Sequence, residues 1–488
     1  MKFLISDSTE LPKKFGKWYY FTSGVIKEKL IKNKLCIYFG YTIEKTIEEY
    51  LEKDIDNLKY ANGKFCVAIL EKNKLELFVD YFCQTKIYYK IKNGIDITNQ
   101  IYLLPLQKED IDSKAVKKIT YKLHNEFNYK TEDWVDYDTH RYKPSQCNTF
   151  FSNVKLLEPD HYILCDMGYH IKRLHNTLKT NNFALQNKKF WSEQYLEDYI
   201  HNCLIEHSNI IKSNYTNICT SISEGIDSVL HDQYFANSYR TMYTFEPPIC
   251  PMTYKQKIIN KYKSQNKNIN LATMELDKTP TIAEKYTNDP MCVFLDVLPT
   301  IWQMQTIDYK PDIFIYGQNA DQMFMHKPSY LFAYLFSKQK YDGRPEEEII
   351  NEYKNCYGSS FAIIPREFGD DPFRIINTQR GQDLVTNFAK RSLPDLYNRD
   401  IEHNINIPTT SLYADKRIFN LIHQMPDHII LKNIAYVQTQ KNILKKKFNV
   451  DFITPTKDAA GFSTHVMVPA LLRSNIKNCL TNHLPHDA

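Results

Sequence analysis

The hydrophobic period of this chain changes once, near residue 190, and that change constrains the fold more than any bulk property. Through residues 1 to about 170, short β-branched and aromatic runs such as "KLCIYFGYTI", "KFCVAILEK", "LELFVDY" and "IYYKIKNGIDITN" are broken by Asn, Gly and Lys turns, which is the pattern of strands. "NVKLLEPDHYILCDMGYHIKRL" adds two more strands around Glu158-Pro159-Asp160. The polar stretch from Asn176 to Lys189 reads as a linker. Beyond it, Tyr195, Leu196, Tyr199, Ile200, Cys203 and Leu204 recur three and four apart, which predicts a helix. Strand-like pieces at 216–222, 240–246, 268–274 and 312–316 then alternate with helix-like pieces at 226–238, 253–264 and from 319 onward. Such alternation predicts a parallel sheet with helices on both faces. The expected architecture is therefore α/β: a β-rich domain at 1–175, a linker at 176–190, and a doubly wound parallel-sheet domain with a mostly helical C-terminal part at 191–488.

A chain of 488 residues has room for two or three cores. Its net charge of +5 is small, and its lysines are spread out rather than massed with aromatics, so no nucleic acid is expected as a partner. No stretch approaches the roughly 18 apolar residues of a membrane helix, and the N-terminal "MKFLISDSTELPKKFG" lacks the apolar run of a signal peptide. Eleven cysteines without a CxxC pair or regular spacing fit reduced thiols, and a cytoplasmic location is expected.

One short segment carries the chemistry. In "NICTSISEGIDSVLHDQY", an apolar run ending at Ile222 leads into Ser223-Glu224-Gly225-Ile226-Asp227-Ser228, and a helical pattern follows. A loop between a strand's carboxyl end and a helix N-terminus points backbone N–H groups at an anion. Ser223 and Ser228 add hydroxyl donors. Asp227 would repel a bare phosphate, but it makes sense as a ligand for Mg²⁺ that in turn holds phosphate oxygens.

That loop resembles the SGGxDS pyrophosphate loop of ATP pyrophosphatases, the domain that carries synthesis in asparagine synthetases. Further stretches are similar to the same family in collinear order. "IYGQNADQMF" resembles SGEGADELF, "TSLYADKRIFNLIHQMPDHIILKN" resembles SPFLDRRLVEFALSLP, and "DFITPTKDAAGFS" resembles RPKxGF. "NGKFCVAILEKNKLELFVDYFCQTKIYY" and "NTFFSNVKLLEPDHYIL" are similar to segments of the family's N-terminal glutaminase half. The resemblance covers nearly the whole chain. It implies an Ntn-like β-sandwich of α+β type ahead of an ATP-pyrophosphatase domain, with ATP and Mg²⁺ as cofactors. It implies that Asp227 and Asp321 hold the metal, that Ile222 and Phe245 flank the base, and that Ser223, Gly225, Ser228 and Gly317 line the nucleotide. Lys457 corresponds to the lysine that stabilises negative charge during adenylation and amine attack, and Gln318 occupies a position beside the reacting carboxyl group.

The departures are as informative. Glu224 replaces the loop's first glycine; a carboxylate about 5 Å from a phosphate charge would cost on the order of 3 kcal/mol at an effective dielectric near 20. Gln318 and Gln322 stand where the family has glutamates, and Gly461 follows Lys457 by four residues rather than two. The family's glutamine-using members expose a cysteine as residue 1, whereas here Met1 leads into Lys2-Phe3-Leu4-Ile5 and the nearest cysteine, Cys36, falls within a strand. The expected activity is ATP-dependent amide-bond formation on a small-molecule or peptide carboxylate, with nitrogen from ammonia or from an amine of the substrate itself, as in β-lactam synthetases and lasso-peptide cyclases. A homo-oligomer or a precursor peptide is left open as a partner. The alternative is a catalytically inactive relative that acts as a binding or scaffold protein.

Overall fold

The structure is a computed structural model and describes residues 1–112, 149, 151–157, 161–174, 192–223, 225–246, 260, 268–275, 298–317, 320–324, 345, 348, 402, 405–422 and 438–452. The linker expected at 176–190, the strand-flanking Glu158-Pro159-Asp160, and most of the C-terminal tail lie outside these residues.

Twelve strands make two antiparallel six-stranded sheets: β1 (Lys2–Ser6), β2 (Lys13–Phe15), β3 (Trp18–Ser23), β4 (Lys27–Ile31), β5 (Lys34–Thr42), β6 (Gly63–Leu70), β7 (Leu75–Val79), β8 (Tyr88–Ile91), β9 (Ile95–Thr98), β10 (Val154–Leu156), β11 (His161–Cys165) and β12 (Tyr169–Arg173). The first sheet runs β10-β8-β9-β1-β3-β2 and the second β12-β11-β7-β6-β5-β4. Alternate residues of each sheet meet in one core, with Phe3, Ile5, Trp18 and Ile97 from the first and Ile37, Cys66, Ala68, Leu77 and Ile163 from the second. The second sheet's opposite face presents Cys36, Tyr38, Phe65, Val67 and Phe78 to Ile47, Tyr50, Leu51 and Leu58 of helices α1 (Ile47–Lys53) and α2 (Ile55–Leu58). With apolar partners on both faces, all eight residues of β6 are buried. Thr46 and Glu49 close a capping box that starts α1.

Two expectations change here. The N-terminal run, which read only as a failed signal peptide, supplies β1, an inner strand paired to both β3 and β9. The segment around residue 160 yields three strands rather than two, because Asp166, Met167 and Gly168 turn the chain back from β11 into β12.

The second region begins with α3 (Glu193–Asn214), capped where Tyr195 N–H donates to Ser192 Oγ at 3.1 Å. Its face Leu196, Ile200, Cys203, Leu204 and Ile211 is fully buried. At roughly 1.5–3 kcal/mol for each large apolar side chain, this burial outweighs the small differences in helix propensity along the segment. A five-stranded parallel sheet follows in the order β15-β14-β13-β16-β17, formed by β13 (Ile218–Ser221), β14 (Tyr239–Glu246), β15 (Ile269–Glu275), β16 (Ile313–Ile315) and β17 (Thr409–Thr410). The strands read at 216–222, 240–246, 268–274 and 312–316 hold as β13 to β16, while the helix expected at 253–264 lies outside the described residues apart from residue 260. Helix α4 (Ile226–Gln233) is shorter than the expected 226–238. The turn beyond it wraps the buried Arg240 guanidinium, which donates to the carbonyls of Phe235, Ala236 and Ser238 at 2.8–3.2 Å and to Asp232 Oδ1 at 2.5 Å. Strand β17 was not foreseen in the tail. Helices α5 (Leu298–Thr306), α6 (Ala320–Met323), α7 (Lys416–Ile422) and α8 (Gln438–Phe448) are the remaining described α-helices, so the chain is mixed α/β with antiparallel sheets and one parallel sheet. No helix among the described residues is long and apolar enough to cross a membrane.

The two regions are joined by buried polar contacts. Lys64 Nζ on β6 donates to Glu402 and to the Thr409 carbonyl, with both ionic side chains under 10% exposed. Glycine is required on the neighbouring strand: Gly40, opposite Phe65, has φ of +95°, and a Cβ there would sit 2.0 Å from the Lys64 carbonyl oxygen. Asn62 Nδ2 donates to Asp415 Oδ1 at 2.7 Å, and Lys416 N–H returns to Asn62 Oδ1 at 3.0 Å. Removing one partner from a buried ion pair strands the other charge. Lys64→Met should therefore lower stability in urea by about 3–5 kcal/mol, and the pair Lys64→Met with Glu402→Gln should recover most of that loss. Equal losses in the single and double variants would show that the pair does not act as a unit.

Candidate functional site

Strand β13 leaves the parallel sheet at Ser221, between β14 and β16, and its carboxyl end opens into the serine loop. Ile222 is buried against Met242, with Ile269 beside it, and its N–H donates to Thr241 O at 2.9 Å. The loop is tied to itself: Ser223 N–H donates to Ser228 Oγ at 3.0 Å, Gly225 N–H donates to Ser223 Oγ at 3.1 Å, and the two hydroxyls lie 2.8 Å apart. Ser228 Oγ also lies within donating reach of the carbonyls of Ser223 and Gly225. Ser223 is exposed and Ser228 buried, so only the first presents its hydroxyl to a ligand without disturbing α4. Gly225 is the N-cap of α4 with φ of −72°, a value open to any residue, so its conformation does not demand glycine.

Gly317 favours glycine for a different reason. It follows β16, and a Cβ there would lie 3.0 Å from Ser228 N, 3.2 Å from the Asp227 carbonyl carbon and 3.2 Å from Asp227 Cβ. The end of β16 thus packs directly on the first turn of α4. Asp321 lies on α6, four residues beyond that contact, so the backbone carries the second acidic segment to the same carboxyl edge. Nothing about the Asp321 side chain is described. Phe245 lies on β14 opposite Met274 of β15, near the same edge, and its side chain is likewise not described. Gln318, Lys457 and Glu224 fall outside the described residues.

Asp227 is held from two sides by residues that carried no motif. Tyr413 OH donates to the Asp227 carbonyl oxygen at 2.6 Å, and Gln440 Nε2 on α8 donates to Asp227 Oδ1 at 2.6 Å. Both side chains are buried. Tyr413 belongs to the turn after β17, which the N-terminal region anchors through a hydrogen-bonded chain. Gln84 Nε2 donates to Asp80 Oδ1 at 3.3 Å, Thr410 Oγ1 donates to Gln84 Oε1 at 3.1 Å, and Tyr41 OH bridges Thr410 Oγ1 at 3.0 Å and His207 Nε2 at 2.9 Å. Asp415 is buried too. Burial alone would raise its pKa, but the Arg417 guanidinium, His207 and Asn62 hold it below the usual carboxylate range.

Among the described residues no group of three or more His, Cys, Asp or Glu side chains could hold a metal. Magnesium commonly takes one or two carboxylates and fills its remaining positions with water and phosphate oxygens. Asp227 at the edge of the sheet, paired with the side-chain amide of Gln440, fits that smaller requirement. No protein-family model and no curated protein matches this chain.

The chain of contacts behind Tyr413 has a pH signature. Burial raises Asp80 to about 7 and lowers His207 to about 4. Between pH 4 and 7 folded Asp80 keeps a proton that the unfolded chain releases, so its contribution falls as pH rises through that window. Between pH 4 and 6.5 unfolded His207 binds a proton that the folded chain refuses, so its contribution falls as pH drops through that window. Relative to the natural chain, Asp80→Asn should gain stability from pH 4 to 7, and His207→Gln should gain it from pH 6.5 to 4. Each slope should reach up to about 1.4 kcal/mol per pH unit, measurable by urea unfolding at several pH values. Differences that stay flat with pH would show that neither group titrates as its burial dictates.

Proposed function

We propose that this chain is an ATP-dependent carbon–nitrogen ligase of the asparagine-synthetase type, activating a carboxylate with release of pyrophosphate. The observation that carries the reading is the packing of Gly317 on Asp227 and Ser228, at the carboxyl edge of a parallel sheet. Ligands of open parallel sheets bind at that edge. Two collinear stretches that resemble the family's acidic motifs meet there in space, 90 residues apart in the chain. On this reading the parallel-sheet region is the doubly wound ATP-pyrophosphatase domain and the antiparallel sheets are the Ntn-like domain.

The first turn of α4 and the exposed Ser223 hydroxyl would bind and orient phosphate oxygens, and Asp227 with Asp321 would hold Mg²⁺. The cation, when bound, supplies neutralisation of phosphate charge. Ile222 lies in the core beside Met242, so it would form the floor of a base pocket rather than a flap. Lys457 would sit opposite the developing negative charge, and Gln318 would hydrogen-bond the acid without acting as a base.

The nitrogen would come from ammonia or from an amine of the substrate. Glutamine hydrolysis needs a reactive thiolate. The described cysteines, Cys36 among them, are all buried. Burial pushes the Cys36 thiol up to about 11, and the Cys165 and Cys203 thiols up to about 12. A cytoplasmic setting suits these free thiols.

A second reading, an inactive relative that binds or scaffolds, is favoured by the loop's own closure, since Ser228 and the Gly225 N–H are already engaged within it. ATP–pyrophosphate exchange with aspartate and a panel of other acids separates the two. Exchange should appear with at least one acid, drop about 100-fold in Asp227→Asn, and drop about 10-fold in Gly317→Ala, where the added methyl displaces the Asp227 turn. Exchange that survives Asp227→Asn, or an absence of nucleotide binding in the natural chain, would remove the ligase reading.

A further inference from the structure

Gln440 has no place in any motif, yet its position is among the most determined in the described structure. It lies in the first turn of α8 and is 1% exposed. Its Nε2 donates to Asp227 Oδ1 at 2.6 Å. Its other polar atom, the buried Oε1, has no hydrogen-bond partner among the described residues. An amide buried with only its nitrogen paired leaves a carbonyl oxygen whose accepting capacity is open to a ligand.

The amide is also held in place by its helix. Ile443 and Leu444 are fully buried one turn on. Asn442 Nδ2 and Lys446 Nζ donate to Glu197 at 2.5 and 2.6 Å, and Lys447 Nζ donates to Asp198 at 2.5 Å, so α8 is pinned along α3. Asp227 has its own backbone carbonyl fixed by Tyr413 OH, and Gly317 packs against its turn with no room to spare for a side chain. A carboxylate and an orphaned carbonyl oxygen thus share one rigid corner at the sheet's carboxyl edge.

From this corner we infer that Gln440 joins Asp227 in a divalent-cation site, in which the Gln440 N–H orients the carboxylate and the Gln440 Oε1 is a neutral oxygen ligand. Hard divalent cations take this mixture of carboxylate and carbonyl oxygens. The inference deepens the ligase reading and rests on it only for what the cation does in catalysis. Gln440 is accordingly a positioning residue for Asp227 as well as a ligand.

The test uses Mn²⁺ alone on the full chain, followed by water-proton relaxation, with thermal unfolding recorded in EDTA and in Mn²⁺. The natural chain should bind Mn²⁺. Gln440→Met, which keeps the volume and loses both polar atoms, should bind it about 10-fold more weakly, the usual consequence of losing a group that orients a metal ligand. Gln440→Glu places a second carboxylate against Asp227. It should unfold at lower temperature than the natural chain in EDTA and regain that temperature in Mn²⁺, which a purely structural glutamine would not produce. The inference is overturned if the natural chain takes up no Mn²⁺ at millimolar concentration, if Gln440→Met binds as the natural chain does, or if Mn²⁺ leaves the Gln440→Glu melting temperature unmoved. Mn²⁺ binding with these variant effects, in a chain that exchanges no pyrophosphate, would leave the cation site standing and remove the ligase alone.

Discussion

The Lys64–Glu402 ion pair is the contact on which the arrangement depends. It joins β6, which has apolar neighbours on both faces, to the residue that also receives the Thr409 N–H at 3.0 Å, so the charge that is buried in one region orders the entry to β17 in the other. A buried ionic pair contributes little net stability against an apolar replacement, yet a single unpaired member is costly. Its effect is therefore on geometry. It forces one registration of the N-terminal sheets against the edge strand of the parallel sheet. The contacts from Asn62, Gln84 and Tyr41 then place the turn that bears Tyr413.

From that turn the constraint reaches the candidate site in one step, because Tyr413 OH ends on the Asp227 carbonyl. Asp227 is thus positioned by three elements distant in sequence: the turn after β17, the loop after β16 and helix α8. A carboxylate fixed in this way loses little further freedom when it meets a cation, which is what a preorganised site requires. The serine loop is built in the opposite manner. Its hydroxyls and the N–H groups of Ser223 and Gly225 are engaged with one another, so it is a rigid turn whose one exposed serine is Ser223. On the proposed function, anion binding would fall to the helix end and cation binding to the Asp227 corner.

The same contacts give the N-terminal region a role that does not need a nucleophile. Cys36 is sealed between the second sheet and α1, and burial keeps its thiol protonated. What the region supplies instead is Asn62, Lys64 and Gln84, each aimed across the boundary at 402–415. As a proposal, the antiparallel domain is retained because it holds the site in shape, and its own chemistry is dispensable.

Local patterns carried much of the fold. The β-branched and aromatic runs of β5 to β9, the three- and four-residue spacing along α3, and the short apolar runs of β13 to β16 follow from local preferences within each element. They were legible because such runs, bounded by turn residues or spaced along one helix face, record what is buried. The loop at 223–228 was legible for a related reason: small residues between strand and helix leave few alternatives for the backbone. β1 was missed because its apolar run is short, and α4 was drawn too long because only the fold brings Arg240 to the carbonyls of the turn that follows it. The partners of the site had no local signal at all. Gln440 meets Asp227 across 213 positions and Lys64 meets Glu402 across 338. No periodicity links residues so far apart, and a lone glutamine or lysine looks the same whether it is solvated or buried against a carboxylate. By itself the sequence determined which segments are strands and helices and where a loop meets a helix end. Only the tertiary structure decided which polar groups face one another, since burial, and with it the energy of each polar contact, is settled by how distant elements pack.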